Sequence, residues 1–240
     1  MNKSKTFLKK RIIPVILYSN YEIVKSLKFK DYRLFGNLEQ TISVFNSRNV
    51  DEIIILDIDA SKKKISINTE VLKILSQESI MPLTYGGGIK SLKDIEVCLK
   101  NGCDKVSINT KFLDDIKFAK ESSSTFGSQC IVAAVDYIKS EKDFFIFLHS
   151  KYKKIDQNIY EYLQELQYKG VGEIMLNSVD YDGVMNGYET ALFNKVKDAI
   201  KIPMILNGGC VNLEHIYDIM NLKVSALGMG SIFFYEEINF

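Results

Sequence analysis

Short apolar runs recur along the 240-residue chain and alternate with segments whose apolar residues follow a helical period. The runs are rich in Ile, Val and Leu, which is typical of buried strands. They cover residues 11–17, 52–58, 81–85, 105–108, 130–136, 173–177, 202–206 and 224–229. A helical spacing lies between most of them, as at Leu92, Ile95 and Leu99. Because strands that alternate with helices pair in parallel, the pattern predicts a parallel α/β fold.

One fixed offset relates the two halves of the chain. Pairs of identical or similar residues differ in position by 121: Glu52 and Glu173, Pro82 and Pro203, Gly87 and Gly208, Gly88 and Gly209, Leu92 and Leu213, Ile95 and Ile216, and Thr110 and Ser231. Two similar halves of four βα units are therefore predicted. They favour a closed (β/α)8 TIM barrel over an open doubly wound sheet, which would need a switch in strand order. We expect one domain over residues 1–240.

Three features predict departures from an ideal barrel. Pro14 lies inside the first strand, where it removes a ladder donor, so we expect a bulge or local unpairing there. Nine residues follow Ser231, which leaves room for about two helical turns and predicts a short or absent eighth helix. The apolar stretch 144–148 lies in a long loop after the fifth strand and predicts an extra strand.

The composition excludes several classes of function. Lys and Arg total 31 against 30 Asp and Glu, and the net charge of +1 provides no field for nucleic acid or an anionic membrane. No apolar run approaches the roughly 20 residues that span a bilayer, and the basic N-terminus lacks a signal-type apolar core. We therefore expect a cytoplasmic protein without nucleic-acid or membrane partners.

The cysteine and histidine spacings argue against a metal site. The four cysteines lack CxxC spacing, and the two histidines have no nearby cluster of ligands. Cysteines in apolar contexts behave as small hydrophobic residues. We expect free thiols, no metal and no cofactor.

Glycine clusters follow the third and seventh predicted strands, at equivalent places in the two halves. They are residues 86–88 and 208–209, and the hydroxyls of Thr110 and Ser231 end the next strand in each half. Such glycines let backbone N–H groups approach an anion, and barrel phosphate sites favour these loops, although turn geometry alone is the alternative. The pair predicts two phosphate sites and a long ligand with a phosphate at each end.

Charged residues mark both ends of the predicted barrel. Asp136 ends the fifth strand, where a carboxylate acts either as a general acid or base or as an ordinary ion-pair partner. Helix caps or salt-bridge partners are expected among the other strand-end carboxylates, Asp57, Asp59, Asp180 and Asp182. Four alternating charges precede strands at the opposite rim and predict a salt-bridge ring: Arg11, Glu52, Lys105 and Glu173.

Taken together, six motifs resemble the cyclase subunit of imidazole glycerol phosphate synthase over nearly the whole chain. They are residues 10–13 (KRII), 51–52 with 56–58 (DE and LDI), 86–89 (GGGI), 104–110 (DKVSINT), 126–129 (FGSQ) and 180–183 (DYDG). The most specific feature is the run 105–110 followed at the right distance by 126–129.

The resemblance implies a two-half barrel that receives ammonia from a glutaminase in a heterodimer. That family passes the ammonia through the barrel and uses it to cleave and cyclise a bisphosphorylated ribonucleotide intermediate. Asp136 matches a catalytic residue and Asp104 a glutaminase-docking residue, while Lys25, Asn177 and Asp182 match substrate-binding positions. The ring of four charges matches the gate of the ammonia channel, and the matched phosphate-binding positions are Gly88, Asn109, Thr110, Gly209, Gly230 and Ser231.

One position of the family's catalytic pair departs from the pattern. The family has an aspartate on the first strand where this chain has Leu17, and loss of one member of an acid–base pair typically lowers the rate about 10²–10⁴-fold. The turn at residues 18–22 also differs from the family's acidic, glycine-containing turn, and Asn177 replaces its threonine. The gate, docking and phosphate-binding positions therefore match the family pattern, whereas one of the two catalytic positions does not.

Three hypotheses follow from this combination. The first, which we favour, is an ammonia-handling paralogue similar to those linked with acetamidino modification of surface-polysaccharide sugars, working beside a glutaminase and a separate sugar amidotransferase. The second is a genuine cyclase of histidine biosynthesis in which Glu22 or Asp57 replaces the missing aspartate. The third is a non-catalytic scaffold that activates a glutaminase. The gate and docking matches argue against the sister isomerase of the same pathway.

Overall fold

The computed structural model describes residues 10–63, 65–141, 143–222 and 224–235. The strands in this part of the chain are β1 (Arg11–Ser19), β2 (Glu22–Leu27), β3 (Lys30–Asn37), β4 (Ile53–Asp57), β5 (Leu83–Gly86), β6 (Lys105–Ile108), β7 (Ile131–Ser140), β8 (Asp143–Leu148), β9 (Lys153–Asn158), β10 (Glu173–Ser178), β11 (Met204–Asn207) and β12 (Ala226–Met229).

The helices are α1 (Leu38–Ser47), α2 (Ala60–Lys63), α3 (Thr69–Glu78), α4 (Leu92–Lys100), α5 (Thr110–Asp114), α6 (Lys117–Phe126), α7 (Ile159–Tyr168), α8 (Ala191–Val196), α9 (Leu213–Met220) and α10 (Ile232–Tyr235). Short 3₁₀ turns cover Ser128–Cys130, His149–Lys151 and Val179–Tyr181. Several helices begin at an asparagine whose side chain accepts backbone N–H groups, as Asn158 does for α7.

Eight strands form a closed parallel barrel in the order β1, β4, β5, β6, β7, β10, β11 and β12. The β7–β10 and β12–β1 pairings complete the ring. These eight strands coincide with the eight apolar runs of the sequence, so the predicted (β/α)8 TIM barrel is confirmed.

Alternate positions of the strands fill two separate cores. One face of each strand contributes to the barrel interior, which is filled by Ile13, Val15, Ile54, Val132, Ala134, Met175, Ile205 and Ala226. The opposite face packs against the helices, where Phe45, Tyr85 and Phe193 are among the largest buried side chains. Because both faces are buried, the strands appear in the sequence as continuous apolar runs and not as alternating ones.

Two antiparallel hairpins extend from the barrel, one from the first strand of each half. β1 continues into β2 and β3, the first arm, and β7 continues into β8 and β9, the second arm. The arms meet at a small apolar cluster of Phe29, Phe147 and Val179. β8 is the extra strand predicted at residues 144–148. The first arm was not predicted, because β3 is exposed on both faces apart from Gly36 and so lacks an apolar period.

Of the bulge or local unpairing expected at Pro14, no bulge forms, but the pairing with β12 ends there. Residues 11–14 pair in continuous register with 226–229 of β12, and residues 15–18 pair with 54–57 of β4. The proline lies where the ladder to β12 ends, so its missing N–H interrupts no further pair of that ladder. The last described helix, α10, covers Ile232–Tyr235, and the rest of the segment where a short or absent eighth helix was expected lies outside the described residues.

Truncating the contact between the arms should destabilise the protein. Phe147 is only 5% exposed, and its ring lies 6.3 Å from that of Phe29 in an edge-to-face arrangement. Phe147→Ala should therefore lower the free energy of unfolding by about 3 kcal/mol in urea titrations. Tyr217→Ala, at a side chain that is 74% exposed, should change it by less than about 0.5 kcal/mol. Equal effects of the two substitutions would contradict the packing role of the arms.

Candidate active site at the barrel mouth

Two adjacent cavities lie where the barrel strands end. The first cavity, of about 840 Å³, lies over the first half of the chain, and the second, of about 640 Å³, lies over the second half. The wall shared by the two cavities consists of the apolar side chains of Leu17, Leu56 and Phe29 and the polar side chains of Ser26 and Asn177. The structure brings together each predicted phosphate set, with Gly88, Asn109 and Thr110 in the first cavity and Gly209, Gly230 and Ser231 in the second.

The two glycine loops have matching geometry. Gly87 adopts φ +111°, and a Cβ atom there would lie 2.2 Å from the backbone oxygen of Asp57. Gly208, the equivalent residue of the second half, adopts φ +93°, and its Cβ would lie 2.9 Å from the backbone oxygen of Ser178. Only glycine fits at both positions, because the conformation and the close approach each exclude a side chain. The internal repeat therefore preserves a backbone shape at both ends of the mouth.

Asp136 lines the first cavity and is buried at the end of the barrel part of β7. Its carboxylate accepts hydrogen bonds from Nδ2 of Asn109 at 2.8 Å and from Nδ2 of Asn177 at 2.9 Å. Nδ2 of Asn207 donates in turn to Oδ1 of Asn177 at 2.9 Å. Burial raises the pKa of Asp136 to about 7, although the two amide donors favour the charged form. A carboxyl group that titrates near neutrality can both give and take a proton.

The position opposite Asp136 is apolar. Leu17 pairs in register with Leu56 of β4, and neither side chain can exchange a proton. Of the carboxylates weighed as replacements, Glu22 is exposed and is not among the residues lining either cavity. Asp57 lines the first cavity, but its Oδ1 accepts the backbone N–H groups of Asp59 and Ala60 at the start of α2. Asp57 is thus a helix cap, as expected for some of these residues.

Asp182 holds the first arm over the mouth. Ser26 Oγ donates to its carboxylate at 2.5 Å, and the backbone N–H of Phe29 donates to the same oxygen at 3.3 Å. The backbone N–H of Lys28 also donates to the carbonyl of Asp182 at 2.9 Å. Burial raises the pKa of this carboxyl to about 6. Asp182 lines the second cavity, and its carboxylate is engaged by the arm.

Lys25 reaches from the first arm into the second cavity. Its Nζ lies 3.5 Å from the carbonyl oxygen of Ser231 and 4.2 Å from the centre of the Phe35 ring. Burial lowers the pKa of this ammonium to about 8. The side chain therefore places a cation beside the loop that carries Gly230 and Ser231, which is where a phosphate is predicted to bind.

A charged ring closes the opposite end of the barrel. Arg11 contacts Glu52 at 2.8 Å and also pairs with Glu173, while Lys105 contacts Glu52 at 2.9 Å and Glu173 at 3.2 Å. Thr84 Oγ1 donates to Glu52 at 2.8 Å. The carboxylates are almost fully buried, whereas the two cations keep about a fifth of their side-chain surface exposed. The four charges balance one another, as the sequence predicted.

Asp104 lies at the same end of the barrel, in an exposed position. Its Oδ2 accepts the backbone N–H of Leu83 at 2.8 Å, at the first residue of β5. Asp51 accepts the N–H of Ile12 in the same way at 3.0 Å. These carboxylates fix the ends of the strands that carry the ring, and the docking role of Asp104 stays a prediction.

Asn207 belongs to the site but was missed by the sequence reasoning. It is the last residue of β11, immediately before the glycine loop of the second half. That position is the only local signal, because its contact with Asn177 joins two strands 30 residues apart. The two residues become neighbours through the β10–β11 register.

Two negative findings apply to the described part of the chain. None of its helices has the length and apolar character needed to cross a membrane. It also contains no grouping of three or more His, Cys, Asp or Glu side chains arranged to hold a metal ion. The cysteines are free thiols, and Cys98, Cys103 and Cys210 are buried.

The fold and the site define a two-half (β/α)8 barrel with paired glycine loops at its mouth and a charged ring at its base. A family model described as "Histidine biosynthesis protein" matches residues 11–239. The chain belongs to this family.

Curated relatives cover almost the whole chain. A Campylobacter jejuni protein named "Putative imidazole glycerol phosphate synthase subunit hisF2" is 43% identical over 230 residues, which is 96% of this chain and 92% of the relative. A Pseudomonas aeruginosa protein of the same name is 36% identical, covering 95% and 92%. "Imidazole glycerol phosphate synthase subunit HisF" of Natranaerobius thermophilus is 34% identical, covering 97% and 93%. The chain is thus similar to proteins with both kinds of name.

The raised pKa of Asp136 should appear as a pH-dependent stability. The folded state holds this proton more tightly than the unfolded chain, so the stabilisation is complete below the ordinary pKa of 3.8 and is lost as pH rises through about 7. Asparagine does not ionise, so Asp136→Asn does not lose this stabilisation as the pH rises. Its free energy of unfolding relative to wild type should therefore rise by on the order of 3 kcal/mol between pH 4 and pH 8 in urea titrations. A difference that is independent of pH would contradict the assignment.

Breaking the charged ring should lower the free energy of unfolding more than breaking an exposed ion pair. Glu173→Gln leaves Arg11 and Lys105 facing Glu52 alone, and we expect a loss of about 2–3 kcal/mol in the free energy of unfolding. Glu96→Gln removes an exposed i,i+4 pair with Lys100 and should cost less than about 0.5 kcal/mol. Similar losses would show that the ring is held no more tightly than a surface ion pair.

Proposed function

We propose that this barrel carries ammonia from a glutaminase subunit and supports amidination of a surface-polysaccharide sugar by a separate amidotransferase. The observation that carries the proposal is the combination of an intact charged ring at the base with Leu17 at the mouth. The path for ammonia is kept, whereas the partner of Asp136 in proton transfer is missing. The term "subunit" in the names of the relatives fits a protein that works in a complex.

The base of the barrel supports the first half of this proposal. The ring surrounds the start of the interior, and Lys105 and Arg11 are its partly exposed members. A displacement of either cation would open the ring without unfolding a strand. Above it, Ile13, Ile54 and Met175 line the interior, together with the small side chains of Ala134 and Ala226. Ammonia that crosses this packed apolar interior must do so as the neutral molecule, because desolvating ammonium is costly.

The residues at the barrel mouth support the second part of the proposal, the use of ammonia by a separate amidotransferase. Asp136 can exchange one proton, yet Leu17 and Leu56 present only methyl groups on the opposite side of the mouth. Cyclisation in this family relies on an acid and a base, and loss of one of them lowers the rate about 10²–10⁴-fold. Ligand binding depends on the glycine loops and is compatible with Leu17. The ammonia that the barrel delivers must therefore be consumed by a reaction other than efficient ring closure.

The second candidate is a genuine cyclase of histidine biosynthesis. The similarity to proteins named as HisF favours it, and Asp57 is the carboxylate that lines the first cavity besides Asp136. Its Oδ1 is held by the N–H groups of Asp59 and Ala60, and its Oδ2 accepts from Tyr85 Oη at 3.4 Å, so both oxygens already have hydrogen-bond partners. The third candidate, a scaffold that activates a glutaminase, requires no chemistry at the mouth.

Turnover of the histidine-pathway bisphosphate intermediate with saturating ammonium salt tests the proposal, because ammonium bypasses the glutaminase. We expect the purified protein to turn over at well below about 1 s⁻¹. Leu17→Asp should raise the rate at least about 100-fold by restoring the second proton-transfer group, and adding Asp136→Asn should remove the gain. Wild-type turnover at about 1 s⁻¹ or more would establish a cyclase instead.

An assay of the whole complex distinguishes the ammonia-handling hypothesis from the scaffold hypothesis. With glutaminase and sugar amidotransferase present, Lys105→Ala should impair amidination from glutamine while added ammonium salt restores it, because a ring without Lys105 stays open and lets ammonia escape at the base. Lys100→Ala, at an exposed helical position, serves as the control. Unimpaired use of glutamine by Lys105→Ala would favour the scaffold.

A further inference from the structure

Three polar side chains from separate elements meet at the rim of the first cavity. Lys62 lies on α2, Tyr32 on β3 of the first arm, and His149 in the turn between β8 and β9 of the second arm. Lys62 Nζ is 3.4 Å from Tyr32 Oη, which is 3.0 Å from His149 Nε2. All three line the cavity that contains Gly88 and Thr110. We call them the rim cluster.

The hydrogen bonds of the rim cluster assign its protons. Tyr32 Oη donates to the carbonyl of Phe29 at 3.0 Å, and a carbonyl can only accept, so the single hydroxyl proton is used there. His149 Nε2 must then carry a proton and donate it to Tyr32 Oη. Burial, aided by the nearby charge of Lys62, lowers the pKa of His149 to about 4, so the ring is neutral at pH 7. His149 is therefore the Nε2–H tautomer.

Lys62 has a positive charge without a close ion-pair partner among the described residues. Asp59 attracts it only from beyond salt-bridge distance, and the carboxylate of Asp59 is held by Lys63 Nζ at 3.0 Å and by Ser19 Oγ at 2.7 Å. The ammonium of Lys62 lies 5.0 Å from the centre of the Tyr32 ring, which stabilises a cation without cancelling its charge.

The two hydrogen-bonded neighbours fix where this charge lies. Tyr32 Oη has two lone pairs, and they accept from Lys62 and from His149 while its proton is donated to Phe29. Phe29 is in turn held by Asp182 through its backbone N–H. The ammonium is thus tied to both arms and held at the edge of a cavity whose wall includes a glycine loop.

We propose that Lys62 binds the anionic group of a phosphate monoester in the first cavity and makes this cavity select phosphorylated ligands over neutral sugars. Tyr32 and His149 are positioning residues that act through Lys62. The inference rests on the proposed binding of phosphate beside Gly88 and Thr110. It adds a charge-assisted contact to a site otherwise built from backbone N–H groups and a hydroxyl.

Amide NMR titration with ribose 5-phosphate tests this contact. Shifts at Gly88 and Thr110 report on the first cavity, and shifts at Gly209 and Gly230 report on the second as an internal control. Lys62→Gln should weaken binding in the first cavity about tenfold, the usual size of one charge-assisted contact, and leave the second unchanged. Lys62→Arg should stay within about threefold of wild type. Unphosphorylated ribose should bind to wild type and Lys62→Gln equally.

An exposed lysine away from both cavities provides the control. Lys100 on α4 pairs with Glu96 and lines neither cavity, so Lys100→Gln should leave both cavities unchanged. Absence of ribose 5-phosphate shifts at Gly88 in wild type would overturn the phosphate site on which the inference rests. Wild-type binding at Gly88 that Lys62→Gln leaves unchanged would overturn the role of Lys62 alone.

The positioning roles have their own readouts. The ring nitrogens of His149 should show the neutral Nε2–H tautomer in ¹⁵N spectra at pH 7. His149→Gln can still donate a hydrogen bond to Tyr32, so it should retain more affinity in the first cavity than His149→Leu. A neutral Nδ1–H tautomer, or equal affinities of the two His149 variants, would overturn the positioning role of His149.

Discussion

Closure of the barrel through the β7–β10 pairing makes all eight parallel strands begin at one rim and end at the other. Residues that precede strands must then converge at the base, and residues that end strands must converge at the mouth. Four charges separated by as many as 162 residues become one ring for this reason. The same geometry places Asn109, Asp136, Asn177 and Asn207 side by side at the opposite end.

Burial gives the two ends different electrostatic characters. At the base, two carboxylates are matched by two cations, so the ring is neutral as a unit and each charge has partners. At the mouth, Asp136 is matched only by amide donors, which stabilise a carboxylate less than a cation would. Its raised pKa follows from that difference. Leu17 completes the contrast, because an apolar side chain across the mouth from Asp136 cannot take part in proton transfer.

The two arms give the mouth its shape. Each extends from the first strand of a half, so the internal repeat is visible in the arms as well as in the barrel. They differ in how they are held: Asp182 binds the turn of the first arm, while Tyr152 Oη of the second arm donates to the carbonyl of Lys28 at 3.2 Å. The wall between the cavities and the rim cluster both depend on this contact between the arms.

The sequence by itself determined the barrel, its two halves, and which residues lie at each end. Continuous apolar runs record burial on both faces, and an offset of 121 records the repeat. Both signals are local or periodic, so they can be read from the sequence alone. Of the two departures expected at Pro14, the bulge does not form, whereas pairing with β12 does end at that residue.

Tertiary structure alone decided the rest. The first arm lacks an apolar period because β3 is exposed, so its fold depends on pairing with β2 and on Asp182. The pKa of Asp136 depends on burial and on amides from other strands. The meeting of Lys62, Tyr32 and His149 joins residues up to 117 positions apart. Contacts of this kind are set by how the elements pack, and the pattern along the chain reports only which face of an element is buried.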